Sequence, residues 1–125
     1  MVLFHQELTD QVLAGAIEVH KEVGPGLLES AYEECLCYEM SQRGLAFQRQ
    51  LPLPVVYKGV RLDCGYRLDI VVADKIILKL KSVEEITDLH KAQLLTYLRI
   101  SKKKVGLLLN FNVPVLKDGI VRLVF

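Results

Sequence analysis

The spacing of apolar residues changes period near Ala46, and that change sets the class of fold available to this chain. Upstream, Val12, Leu13, Ala16, Ile17 and Val23 recur at helical spacing. Gly24-Pro25-Gly26 ends that helix, because glycine tolerates the left-handed cap and proline cannot continue the turn. The spacing predicts a second helix from about Leu27 to Arg43, with Leu28, Tyr32 and Leu36 stacked on one face and Gly44 as its cap. Downstream the period becomes two, at Leu51, Leu53, Val55 and Tyr57. Lys58-Gly59 signals a turn, and Val60 to Ala73 reads as a return strand with Gly65 as a candidate bulge. Asp74-Lys75 then turns the chain into Ile76 to Lys81. Pleating puts Ile76, Leu78 and Leu80 on one face of that strand and Ile77, Lys79 and Lys81 on the other.

A third helix is predicted over Asp88 to Ser101, with Thr87 as N-cap. Lys102-Lys103-Lys104 reads as a solvated connector and Val105 to Leu109 as a buried strand. Asp118-Gly119 reads as a hairpin-like turn into Ile120 to Phe125. The predicted order is ααβββαββ, an α/β (α+β) fold in a single domain over residues 1–125. Three sequential strands form an antiparallel meander. The crossover helix then returns the next strand to the sheet, parallel to one of them.

A length of 125 residues suits one domain that needs no disulfide or structural metal. The net charge of +1 is too small to predict non-specific nucleic-acid attraction by the whole molecule, so any such binding requires a local patch. Cys35, Cys37 and Cys64 are an odd number with no C-x-x-C pair and read as reduced thiols, which implies a cytoplasmic setting. No basic segment followed by an apolar stretch opens the chain, and no apolar run nears the ~20 residues of a membrane span. Neither a signal peptide nor a membrane partner is expected. Nucleotide-loop, zinc-protease and hydrolase-elbow motifs are missing. Gly24-Pro25-Gly26 is a poor phosphate loop, since its proline lacks an N–H and no strand precedes it.

Charge on faces that should be apolar is more informative. Asp69 sits within Leu68-Asp69-Ile70-Val71-Val72, and an unpaired buried carboxylate costs several kcal/mol, so a cationic or metal partner is expected. A tight turn brings it within reach of Lys79 and Lys81; a plain salt-bridged strand pair fits the pattern equally well. Glu29 lies in the first turn of the second helix, where the dipole alone stabilises it by ~0.3–1 kcal/mol. Gln93 and Tyr97 share a helix face with Leu89 and Ile100, as an amphipathic boundary would. His20, on the apolar face of the first helix, reads as a satisfied core histidine.

These residues resemble a known family. Gly26-Leu27-Leu28-Glu29-Ser30-Ala31-Tyr32 is similar to the signature of the GxxExxY family. Further blocks follow its pattern in order: Glu18-Val19-His20, Pro52-Leu53-Pro54-Val55, Asp63 to Asp69, His90 to Tyr97, and Asn110-Phe111-Asn112-Val113-Pro114. That family is placed in the PD-(D/E)XK nuclease-like superfamily. The resemblance implies a restriction-endonuclease-like core, a mixed central sheet flanked by helices, and metal-dependent phosphodiester hydrolysis with Mg²⁺ or Mn²⁺.

It also implies roles. Asp69 and Glu29 would ligate the metal, Lys81 would orient or deprotonate the attacking water, and Gln93 with Tyr97 would position phosphate or water. Apart from the resemblance, a nucleic-acid-binding role would draw phosphate contacts from Arg67, Lys102, Lys103 and Lys104. The partner would be nucleic acid, DNA before RNA, and a homodimer is compatible. The departure is Lys79, where the superfamily carries an acidic ligand two residues before its lysine. The ammonium is expected to take the metal's place, paired with Asp69 and Glu29. Three functions follow: a nuclease, a catalytically impaired nucleic-acid-binding domain, or a protein-interaction domain.

Overall fold

The computed structural model describes residues 3–125, so Met1 and Val2 of the expected 1–125 domain lie outside the described residues. Two helices come first, α1 (Gln6–Val23) and α2 (Glu29–Gln42). Strands β1 (Phe47–Pro52), β2 (Val55–Tyr57), β3 (Val60–Leu62), β4 (Arg67–Val72) and β5 (Ile76–Lys81) follow. Helix α3 (Asp88–Ser101), β6 (Val105–Asn110), a 3-10 helix (Leu116–Gly119) and β7 (Ile120–Val124) complete the chain.

The main sheet has the order β1-β4-β5-β6-β7. β4 is antiparallel to both β1 and β5, giving the expected meander. β5 and β6 are parallel, and α3 is the crossover between them. The fold is therefore the mixed α+β sheet expected.

Two expected strands are each broken. The first divides into β1 and β2 around Leu53-Pro54, where proline supplies no N–H to a ladder. The return strand divides into β3 and β4 over Asp63 to Tyr66, where the Gly65 N–H turns back onto Asp63 Oδ1. Gly65 is thus part of a break rather than a bulge. The tips β2 and β3 pair only with each other. Asp118-Gly119 belongs to the 3-10 helix and not to a hairpin turn.

Strand alternation sorts the core into two layers. Ile70, Val72, Ile76, Leu78, Leu80, Leu107 and Leu109 pack under α1 and α2. Val71, Ile77 and Leu108 pack under Leu94 and Leu98 of α3. Gly106 permits that approach, since a Cβ there would stand 2.9 Å from Leu94. The Thr87 hydroxyl accepts from the His90 N–H and His90 Nδ1 accepts from the Thr87 N–H, closing a capping box at the predicted start of α3.

Helix α2 begins at Glu29, later than predicted. Leu28 is its N-cap and is 76% exposed, so it leaves the apolar face assigned to it. Tyr32 and Leu36 remain buried. His20 is a core histidine as expected, 6% exposed, with Nε2 at 3.2 Å from the Phe111 carbonyl and 2.8 Å from that of Val113.

Candidate functional site

The site arises where β4 and β5 part. Their ladder ends at the pair Ile70↔Leu78, while β5 stays paired with β6 as far as Lys81↔Asn110. Beyond Leu78 the β4-facing edge of β5 is uncovered. The Lys81 carbonyl accepts from Phe111 on the β6 side, so the Leu80 and Ser82 N–H groups point to the opposite, vacated side. Uncovered backbone donors need acceptors.

Two carboxylates supply them. Asp69 Oδ2 accepts from the Leu80 N–H at 3.0 Å, and Glu29 Oε2 accepts from the Ser82 N–H at 3.0 Å. Two strand residues separate the donors, about 6.6 Å. Asp69 comes from within the sheet. Glu29 comes from the α1–α2 layer and reaches the C-terminal end of β5.

The loop before α2 holds Glu29 in position. The Tyr32 hydroxyl donates to the Gly24 carbonyl at 2.6 Å and accepts from the Leu27 N–H at 3.1 Å. Its ring stacks on Phe111 with centroids 4.3 Å apart. Gly26 takes a φ of 98°, a conformation that favours glycine. Ser82 Oγ donates to the Leu27 carbonyl at 2.7 Å. The glycine, glutamate and tyrosine of the signature thus have one joint effect: they fix a carboxylate at the end of β5.

Lys79 and Lys81 stand on the α3 face, with Ile77. Lys79 Nζ lies 3.4 Å from Asp69 Oδ1, and their side chains are 23% and 19% exposed. Expected to share this ammonium, Glu29 is bonded instead to the Ser82 backbone. Among the described residues Lys81 makes no ion pair.

The convergence expected from the sequence is therefore divided. Asp69, Lys79 and Lys81 group at the fork. Glu29 lines a separate open pocket with Gly26, Ser30, Ser82 and Asn112. Gln93 and Tyr97 line a third cleft, under α3. Arg67 opens β4 beside the fork and donates to the Gln50 carbonyl. The run Lys102 to Lys104 lies at the other end of the sheet. Lys103 is tied to Asp74 at 2.9 Å in the turn before β5, and Lys104 sits over the Phe4 ring.

Three supports had no assigned role in the sequence: Ser82, the Leu80 N–H and Asn110. Asn110 is 2% exposed. Its Oδ1 accepts from the Val83 N–H and its Nδ2 donates to the Val83 carbonyl, which anchors the segment after β5. A polar residue closing the apolar run Val105 to Leu109 was the available signal.

The donor set does not fit a tightly held divalent ion. Mg²⁺ is bound through carboxylates and waters in octahedral geometry. Here the two carboxylates each accept a backbone N–H, and an ammonium stands against one of them. Among the described residues no three His, Cys, Asp or Glu side chains group to hold a metal. Nor is any helix there long and apolar enough to cross a membrane.

A family model described as the PD-(D/E)XK nuclease superfamily matches residues 6–123. No curated protein and no solved structure shows a significant match.

Proposed function

Because the chain belongs to the PD-(D/E)XK nuclease superfamily, we propose that it binds the phosphate backbone of nucleic acid at the β4–β5 fork without a divalent metal and with little or no hydrolysis. One observation carries the reading: Lys79 Nζ lies 3.4 Å from Asp69 Oδ1, on the carboxylate that the superfamily resemblance assigns to the metal. With Lys81 on the same face of β5 and free of ion pairs among the described residues, and Arg67 at the start of β4, the cationic groups suit phosphate oxygens. The test is binding of a labelled oligonucleotide at ~50 mM salt and above. Affinity that falls steeply as salt rises supports phosphate contacts; no measurable binding refutes the reading.

Asp69 and Lys81 at the fork, with Glu29 bonded two residues further along the same strand edge, favour a second reading, phosphodiester hydrolysis with Mg²⁺ or Mn²⁺. Cleavage by the chain that is lost in Asp69→Ala supports it; equal activity in both proteins removes it from this site. The nucleic acid is proposed to be DNA before RNA, tested by parallel titration of both. A homodimer is also proposed, with the β2–β3 hairpin exposing Val56, Tyr57 and Val60, and a monomeric sedimentation profile would exclude it. The membership of the GxxExxY family is the finer assignment supported by the glycine, glutamate and tyrosine above.

A further inference from the structure

A cleft of about 410 Å³ opens between α3 and the start of β4. Leu53, Val55 and Ile100 give it apolar walls, and Tyr66 and Tyr97 contribute rings. Ala92 and Thr96, one helical turn apart on α3, are small and leave the space open. The two tyrosine rings lie 6.1 Å apart and are tilted by 57°, so one face of each is free of the other. Tyr66 is 48% exposed although it lies next to the core strand β4. Gln93 and Arg99 add an exposed amide and a guanidinium to the lining.

From this arrangement we infer that the cleft receives an unstacked nucleobase, and that the ligand of this chain is a single strand. The inference rests on the proposed nucleic-acid binding and names its substrate class. Three features agree with it. Aromatic faces accept any base by stacking, and single-strand sites combine such faces with a cationic track for the backbone. Tyr66 precedes Asp69 by three residues, about 10 Å along the chain, so a base in the cleft leaves its neighbouring phosphate within reach of the fork. Arg67, Lys81 and Arg99 make no ion pair among the described residues and are available to phosphates along that path. A paired duplex keeps its bases stacked inside and presents none to the cleft. Tyr97 then acts through its ring face, not through a hydroxyl that positions phosphate.

The experiment compares three ligands of equal length by fluorescence anisotropy, a single strand, a single strand with abasic sites and a duplex, and titrates the intact single strand against Tyr66 variants as well. The expected result is tighter binding of the intact single strand than of the abasic strand or the duplex. Tyr66→Ala weakens single-strand binding roughly 5- to 150-fold, the range for loss of one stacked base. Tyr66→Phe retains it, because the ring face remains. Tyr66 is half-exposed, and its backbone carbonyl still accepts from Leu53 in either variant, so folding is preserved. Equal affinity for intact and abasic strands, or tighter binding of the duplex, overturns the base cleft while leaving phosphate binding at the fork intact. No binding of any ligand refutes both.

Discussion

Replacing Lys79 by glutamate tests how the fork excludes a divalent ion. In the native chain an ion on Asp69 Oδ1 meets an ammonium that sits 3.4 Å from that same oxygen. Two unit charges 4 Å apart interact by about 1 kcal/mol in water and about 4 kcal/mol at an effective dielectric of 20. A divalent ion doubles these figures, so the repulsion is about 2 to 8 kcal/mol. The pair is about one-fifth exposed, and screening by water brings the repulsion to the lower figure. About 2 kcal/mol corresponds to roughly 30-fold in affinity. Lys79→Glu removes that repulsion and adds a ligand; Lys79→Met removes the repulsion alone. Calorimetric titration with Mn²⁺ should give the order Lys79→Glu, then Lys79→Met, then the native chain, with the first at least about 30-fold tighter than the last. Adding Asp69→Ala to Lys79→Glu should abolish the gain. Equal Mn²⁺ affinity in the native chain and Lys79→Glu would refute the assignment of Lys79 as the excluding charge.

Three further outcomes follow from the packing. Tyr32→Phe keeps the ring stack on Phe111 but strands the Leu27 N–H and Gly24 carbonyl, and should lower stability by about 1–3 kcal/mol in denaturant titration; an unchanged midpoint would contradict the role given to the hydroxyl. Gly106→Ala should cost about 1–3 kcal/mol, because its Cβ would press into Leu94 under α3. Burial pushes the Cys37 thiol up to about 11, so it stays protonated below that pH. Iodoacetamide at pH 8 should therefore label exposed Cys64 well before Cys37, as read by peptide mass mapping.

Where sequence and structure agree, one physical rule dominated locally. The period change at Ala46 separated helices from strands, and Thr87 located the start of α3 because a side-chain cap decides a helix terminus. The strand alternation of Ile76 to Lys81 came through unchanged, since both faces are fixed by packed layers. Misreadings fell where non-local or backbone effects decide. Leu28 matched the helical spacing of Tyr32, yet the Gly24–Leu27 loop, tied down by the Tyr32 hydroxyl, leaves it exposed outside the helix. The strand breaks at Pro54 and Gly65 were written as proline and glycine, but not the loss of pairing between β4 and β5 beyond Leu78.

That fork is what made the site only half legible. Strand geometry brought Asp69 within reach of both Lys79 and Lys81, and the structure seats Lys79 against it. Glu29 was placed near them, but its partner is a backbone N–H, which no side-chain pattern announces. Gln93 and Tyr97 share a helix face as expected, and their cleft depends on Leu53 and Tyr66 folding across from distant positions. The lysine run at 102–104 shows the limit of composition: its charge is real, but β5 separates it from the fork by the length of a strand.

Oligonucleotide affinity measured with excess EDTA and again with Mg²⁺, on the native chain and Lys79→Met, puts the account to its hardest trial. With the ammonium supplying the positive charge at Asp69, the native chain should bind in EDTA and no more tightly with Mg²⁺, which competes for the phosphates, and Lys79→Met should bind more weakly in EDTA. Binding that appears only with Mg²⁺, or an affinity in EDTA that ignores the loss of Lys79, would contradict it.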